Sequence, residues 1–250
     1  MVFLVCSDFR SQKSDKHHCP QPLERVESGM TLNVPNLLTS FRLLTAISLP
    51  FVVLFFKNPY SDWIALFLFL FAAITDFLDG YWARKYGLTS LFGAMLDSIA
   101  DKILVLVFLF MINEQAGGNP WISLPVYFIL IRELVVSGLR DFLGDDKDRL
   151  TVTMLAKWKT AVQMVAIFVL LLQALFYHYL VMETYGMSPQ IIQDILSGAI
   201  EDTIGITWKY YGSLGSFYGG IGLLWFSTLL AIVTGIDYFK KALPLFKERR

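Results

Sequence analysis

Four aspartates stand in an otherwise apolar part of the chain: Asp76, Asp79, Asp97 and Asp101. The segments that flank them, 63–74 and 103–112, are almost wholly apolar. A carboxylate inside a bilayer costs about 2.5–3.5 kcal/mol on insertion scales, so four of them together require positive charge nearby. Carboxylate oxygens are the ligands that hard cations such as Mg²⁺ and Mn²⁺ prefer, and two divalent ions would balance four carboxylates. The pattern therefore predicts a two-metal site.

The spacing of these aspartates places each pair on one helix face, since residues three or four apart are neighbours on a helix. Gly87 marks the turn between the two helices, and at about 1.5 Å rise per residue both pairs lie at similar depths, one to two turns inside the membrane. Adjacent antiparallel helices would bring the four carboxylates into one site. The structural alternative is that the aspartates pair only with nearby bases, which are few: Arg84, Lys85 and Lys102.

Composition indicates an all-α integral membrane protein. The 250 residues are 55% hydrophobic with a mean hydropathy of +0.54, which is too apolar for an ordinary soluble domain. A spanning helix needs about 20 mostly apolar residues. We predict six such helices, at about 37–56, 62–83, 93–113, 121–143, 154–182 and 215–239.

Basic residues are distributed unevenly between the predicted links, and this predicts orientation. The links between spans two and three and between spans four and five carry several bases, as does the C-terminal tail, whereas 57–61 holds only Lys57 and 114–120 none. The positive-inside rule therefore places both termini in the cytoplasm. Residues 1–29 contain both cysteines and no run of signal-peptide length, and we expect a disordered extension followed by one membrane domain, 30–250. A short amphipathic surface helix is expected before span one, and 190–201 is predicted as a second.

The residues Asp76-x₂-Asp79-Gly80-x₂-Ala83-Arg84-x₈-Gly93-x₃-Asp97-x₃-Asp101 resemble the complete signature of the CDP-alcohol phosphatidyltransferases. The resemblance implies six spans and a site that faces the cytoplasm. It implies that Asp76, Asp79 and Asp97 hold two divalent cations, Mg²⁺ or Mn²⁺, with Asp101 near them as the general base. It also implies a CDP-binding set: Gly80, Ala83, Arg84, Gly93, Asn36 and Thr39.

The acceptor alcohol must be inferred from the basic residues of spans four and five. Arg132 and Arg140 are eight apart and share a helix face, and Lys157 and Lys159 open the next span. Together they can bind a phosphate, with arginine forking to two oxygens. Snorkelling and positive-inside topology are the alternative explanation for these bases. The segments IRELVVSGLR and KWKTAVQ are similar to those of bacterial family members that use glycerol 3-phosphate.

The hypothesis is thus an enzyme that transfers the phosphatidyl group of CDP-diacylglycerol to glycerol 3-phosphate in a bacterial inner membrane, with its active site facing the cytoplasm. The alternative keeps the chemistry and changes the acceptor to phosphatidylglycerol, an inositol phosphate or serine. A cation transporter is a different class, but neither repeats nor broken helices are evident. The resemblance implies a homodimer formed through membrane helices, and Gly219, Gly220 and Gly222 allow close helix packing either at such a face or inside the protomer. No nucleic-acid partner is expected.

Overall fold

The computed structural model describes residues 34–56, 59–86, 91–143 and 154–248, and this part of the chain is entirely helical apart from turns. Its helices are α1 (Val34–Phe55), α2 (Pro59–Tyr86), α3 (Leu91–Gln115), α4 (Pro120–Leu143), α5 (Met154–Glu183), α6 (Pro189–Leu196) and α7 (Ile206–Glu248). All six predicted spans coincide with helices, and the all-α class is confirmed.

Three of these helices are long and apolar enough to cross a membrane: Pro120–Arg140 in α4, Met154–Glu183 in α5 and Ile206–Pro244 in α7. Helix α1 contains a shorter apolar stretch, Thr39–Val53. Six spans, the orientation of the termini and the surface helix before span one therefore stay predictions. Residues 1–33 lie outside the described residues, as does the turn at Gly87.

The core forms where α5 packs along α7, α1 along α3 and α4 along α7. Its fully buried side chains include Leu49, Leu109, Ile129, Ile167 and Leu224, one from each of five helices. The end of α5 that follows this core is held to the start of α2. There the Trp63 indole donates to the Tyr179 hydroxyl at 3.1 Å. The helices are thus packed into one bundle rather than linked as independent spans.

A proline inside α4 contributes to its contact with α7. Pro125 has no N–H, so the carbonyl of Trp121, four residues earlier, loses its intrahelical donor. The Trp225 indole of α7 donates to that carbonyl at 3.0 Å, and the two indole rings meet edge to face. An unsatisfied carbonyl is costly in an apolar surrounding. The proline therefore favours this particular register of α4 on α7.

The sequence Gly117-Gly118-Asn119-Pro120 predicts a turn, and the structure has a turn there between α3 and α4. Gly117 and Gly118 have φ values of 59° and 80°, in the left-handed region that glycine tolerates best, and the Asn119 side chain accepts from the Trp121 N–H at 3.0 Å. The helix predicted at 190–201 is shorter, Pro189–Leu196, with Ser188 as its N-cap.

The residues between predicted spans five and six, 183–214, are expected from the sequence to form a loop, but this is wrong for 206–214, because α7 already begins at Ile206. The segment 206–214 mixes aromatic, polar and glycine residues, so its composition does not indicate a helix. Tertiary contacts stabilise it: Trp208 packs edge to face on Phe176 of α5, and Lys209 pairs with Glu183. Lys209 also donates to the Ile204 carbonyl at 2.9 Å.

The three glycines of α7 that were singled out in the sequence differ in their surroundings. A Cβ at Gly220 would lie 2.6 Å from Leu170 Cδ2 of α5, so this glycine permits close packing inside the protomer. A Cβ at Gly219 or Gly222 would meet nothing within 4 Å among the described residues. Gly220 therefore belongs to an internal contact, whereas Gly219 and Gly222 do not pack against the described part of the protomer.

Candidate active site

Two of the four predicted metal-binding aspartates meet at a buried arginine. Arg42 of α1, only 2% exposed, places Nη1 at 3.1 Å from Asp101 Oδ1 of α3 and at 3.5 Å from Asp76 Oδ1 of α2. The two carboxylate oxygens thus lie no more than about 7 Å apart. A pair of carboxylates around one buried cationic group is the stable way to keep acids inside an apolar bundle. The sequence analysis assigned no role to Arg42.

The other members of the aspartate motif lie in the same helices. The backbone of α1, α2 and α3 is continuous through them, but their side chains lie outside the described residues: Asn36, Asp79, Gly80, Ala83, Arg84, Gly93 and Asp97. Thr39, also predicted to bind CDP, is buried in α1 three residues before Arg42. Among the described side chains, no group of three or more acids, histidines or cysteines clusters as a metal site.

A cavity of about 270 Å³ lies between α3, α4, α5 and α7, and Asp101 is one of its lining residues. Three of the four bases predicted to bind the acceptor line it, namely Arg132, Arg140 and Lys159. Lys157 is absent from the described lining. The structure therefore brings the general-base candidate and most of the phosphate-binding candidates to one space.

The cavity has a marked charge excess. Its described lining contains four bases, Lys102, Arg132, Arg140 and Lys159, and two acids, Asp101 and Glu133, a formal excess of two positive charges. A phosphate monoester carries about −1.5 to −2 at neutral pH. The charge of the cavity thus matches that of a phosphorylated alcohol better than that of a neutral one.

Two of these bases share one carboxylate. Glu133 of α4 pairs with the Lys159 ammonium of α5 and, at 3.3 Å, with Arg132 Nη1. Lys159 is 4% exposed, so this pairing offsets the cost of burying its charge. Arg140 has no carboxylate partner of this kind among the described residues. The predicted role of Lys159 is therefore shared with a structural one.

Two hydrogen-bond donors in the cavity lack partners. Arg132 Nε and Gln163 Nε2 are buried and make no hydrogen bond with the described residues, and both side chains line this space. Gln163 is only 2% exposed. A buried donor without an acceptor costs about 1–3 kcal/mol, which a ligand rich in acceptor oxygens would remove.

The C-terminal half of α7 contacts the bases of this cavity, and its Tyr238 lines the space, which the sequence analysis did not anticipate. Arg132 Nη2 donates to Thr234 Oγ1 at 3.1 Å, and Arg140 Nη2 donates to the Tyr238 hydroxyl at 2.6 Å. Ser227 donates to the Lys159 carbonyl at 3.4 Å. The positions 227, 234 and 238 fall at helical spacing, and this is the signal that the sequence offered.

A larger cavity, of about 550 Å³, lies at the opposite end of the bundle. It is lined by His178, which lies 19 residues, roughly 28 Å of helix, beyond Lys159 in α5. The sequence predicts an interfacial position for His178, near the end of span five, and in the structure its Nδ1 lies 2.8 Å from Asp62 Oδ2. The described lining of this cavity contains no lysine or arginine, so it is less suited to a phosphate.

A helical membrane bundle with carboxylates beside a basic cavity is the arrangement expected of an enzyme that acts on phosphorylated lipid substrates. The family model of CDP-alcohol phosphatidyltransferase matches residues 32–190. These residues contain the aspartate motif and both cavity-lining arginines. The chain belongs to the CDP-alcohol phosphatidyltransferase family.

Curated relatives extend the similarity beyond that region. A protein of Cereibacter sphaeroides is 44% identical over 221 residues, covering 88% of this chain and all of the relative. A Rickettsia bellii protein is 35% identical over 214 residues, covering 86% and 97%. A Wigglesworthia glossinidia brevipalpis protein is 41% identical over 146 residues, covering 57% and 78%. All three are named CDP-diacylglycerol–glycerol-3-phosphate 3-phosphatidyltransferase.

Proposed function

We propose that the chain transfers the phosphatidyl group of CDP-diacylglycerol to glycerol 3-phosphate, giving phosphatidylglycerophosphate and CMP. The observation that carries the choice of acceptor is the cavity with two excess positive charges whose lining includes Asp101. The name shared by relatives that align with nearly all of the membrane domain supports the same reaction. Free glycerol would leave the two arginines of the cavity without an anion.

Two observations support Asp101 as the general base. Its side chain is 38% exposed, and it lies both in the carboxylate pair around Arg42 and in the lining of the cavity. We infer that it accepts the proton of the acceptor hydroxyl while that oxygen attacks the phosphorus bonded to diacylglycerol. The bond from phosphorus to CMP breaks, and CMP leaves with the electron pair.

Divalent cations fit the acidic side of this site. The Asp76 and Asp101 oxygens that contact Arg42 lie no more than about 7 Å apart, and carboxylate oxygen is the donor that Mg²⁺ and Mn²⁺ prefer. We propose that Asp76, Asp79, Asp97 and Asp101 hold two such ions. When bound, the ions would neutralise the diphosphate and stabilise charge on the leaving group. Asp79 and Asp97 enter this proposal from the motif alone.

The remaining assignments extend the proposal along the motif. Family membership supports a CDP-binding role for Asn36, Thr39, Gly80, Ala83, Arg84 and Gly93. The bases between the predicted spans support a site on the cytoplasmic side of a bacterial inner membrane. Gly219 and Gly222, which do not pack against the described part of the protomer, are the positions at which a homodimer would pack closely.

The test is CMP release by the purified protein from CDP-diacylglycerol, with glycerol 3-phosphate, glycerol, phosphatidylglycerol, inositol phosphate or serine as acceptor, with and without chelator. We expect glycerol 3-phosphate to exceed glycerol in kcat/KM by at least roughly 100-fold, because two charge-assisted hydrogen bonds are worth about 1.5–3 kcal/mol each. Equal turnover of the two would refute the phosphate site. Faster turnover of another acceptor would keep the chemistry and reassign the product.

Two variants separate the roles within the site. Asp101→Asn keeps the shape of the side chain and removes its basicity, so CMP release should be abolished while the protein still folds. Near-normal turnover would show that Asp101 is not the base. Lys157→Gln tests the one predicted base that the cavity omits. An unchanged KM for glycerol 3-phosphate would remove Lys157 from the acceptor site.

A further inference from the structure

Tyr238, in the C-terminal half of α7, contacts Arg140 in two ways. The Tyr238 hydroxyl accepts from Arg140 Nη2 at 2.6 Å, and the guanidinium carbon lies 4.9 Å from the centroid of the same ring. Tyr238 is 2% exposed, so its ring is fixed by packing. A hydrogen bond together with a cation–π contact restricts both the direction and the plane of the guanidinium.

Arg132 is held by the residue one turn earlier. Thr234, 1% exposed, accepts from Arg132 Nη2 at 3.1 Å, while its own hydroxyl proton is within reach of the Leu230 carbonyl at 2.7 Å. The hydroxyl thus donates to its own helix and accepts from the arginine. A Cβ at Gly235 would lie 3.3 Å from Arg132 Cγ, so the absence of a side chain there admits the arginine stem.

These contacts bring the guanidinium groups of both arginines close to the Tyr238 ring. Arg132 and Arg140 are eight residues apart on α4, about 12 Å along the axis, whereas Thr234 and Tyr238 are four apart on α7, about 6 Å. The guanidinium carbons lie 6.0 Å and 4.9 Å from the one Tyr238 ring. Both groups therefore converge on a single region at the wall of the cavity rather than extending separately to solvent.

We propose that Thr234 and Tyr238 are positioning residues that hold Arg132 and Arg140 in the arrangement that binds the phosphate of the acceptor. This rests on the proposed function, since it assigns a purpose to the same cavity. Arginine can rotate about several bonds, and fixing it before the substrate arrives reduces the entropy lost on binding. The two α7 residues thus act on acceptor binding through the arginines, without touching the reacting atoms.

The experiment measures initial rates for Tyr238→Phe and Thr234→Val, with glycerol 3-phosphate varied at saturating CDP-diacylglycerol and then the reverse. Both variants keep the side-chain volume and remove one hydrogen bond to an arginine. We expect KM for glycerol 3-phosphate to rise roughly tenfold, with kcat changed less than about twofold and KM for CDP-diacylglycerol unchanged. Thr234→Ser, which restores the hydroxyl, should return KM to the wild-type value.

The matched control is Phe239→Leu, because Phe239 adjoins Tyr238 on α7 but is 53% exposed, and its KM values should not change. Unchanged KM for glycerol 3-phosphate in both test variants would overturn the positioning role. A fall in kcat together with a rise in the KM of both substrates would overturn it as well. Arg132→Gln and Arg140→Gln distinguish the two proposals. If they raise KM while Tyr238→Phe and Thr234→Val do not, only the positioning fails. If wild type itself does not use glycerol 3-phosphate, the proposed function fails.

Discussion

Replacing Arg42 by methionine should destabilise the protein by about 2–4 kcal/mol. The substitution keeps much of the side-chain length and leaves Asp76 and Asp101 without the guanidinium that lies 3.5 Å and 3.1 Å from them. Breaking a fully buried ion pair costs about 3–5 kcal/mol. Here Arg42 is 2% exposed, but the carboxylates are 24% and 38% exposed, so water compensates part of the loss.

The assay is thermal unfolding in detergent, followed by intrinsic fluorescence. For a chain of this size each kcal/mol shifts the midpoint by about 2–4 °C, so a fall of about 5–15 °C is expected. Arg42→Lys keeps the charge and should lose less. In the Arg42→Met and Asp101→Asn double variant, the loss should be smaller than the sum of the two single losses, because the residues share one interaction.

Divalent cations provide a second readout for Arg42. If the aspartates hold metal ions, adding Mg²⁺ should raise the unfolding midpoint of Arg42→Met more than that of the wild type, since the ion supplies the missing positive charge. Arg42→Met with wild-type stability in the presence of chelator would contradict the bridging role.

Two further predictions concern α7. Asp202 accepts backbone N–H bonds from Thr207 and from the two residues before it, which lowers the pKa of its carboxyl from 3.8 to about 2. A lowered pKa stabilises the fold above the unfolded value and loses effect as pH falls through the folded one. Asp202→Ala should therefore melt lower than wild type from pH 7 to about 4, with the gap closing by about pH 2; a constant gap would contradict this. Gly220→Ala should cost about 1–3 kcal/mol by overpacking, whereas Gly215→Ala, where a Cβ would meet nothing within 4 Å among the described residues, should be neutral or slightly stabilising in thermal unfolding.

The sequence predicted helices and local motifs well, because both depend on neighbours along the chain. The six long apolar or aspartate-bearing segments all coincide with helices. Asp76 and Asp101 lie on the predicted helices, but they meet through Arg42 of α1, a contact that their distance from the turn at Gly87 did not predict. Spacing alone was enough to place Arg132 and Arg140 on a common face.

Contacts between distant segments were not predictable in the same way. Tyr238 is 98 residues from Arg140, and His178 is 116 residues from Asp62. Tyr238 and Thr234 occur in a helix whose periodicity indicates ordinary packing, and the pattern does not reveal which neighbour they face. Arg42 lies in an apolar helix where a basic residue near the end is equally consistent with snorkelling.

Helix α7 runs without interruption for 43 residues, a length of roughly 64 Å, about twice the hydrocarbon thickness of a bilayer. Its first turns are capped by Asp202 and its later turns present Thr234 and Tyr238 to the arginines. A single residue inserted between these regions would rotate one relative to the other by about 100°. The number of residues between the two regions of α7 is therefore constrained, as well as the identity of the residues within them. An insertion of seven residues is close to two whole helical turns. It would therefore change the direction in which Thr234 and Tyr238 face far less than an insertion of one or two residues.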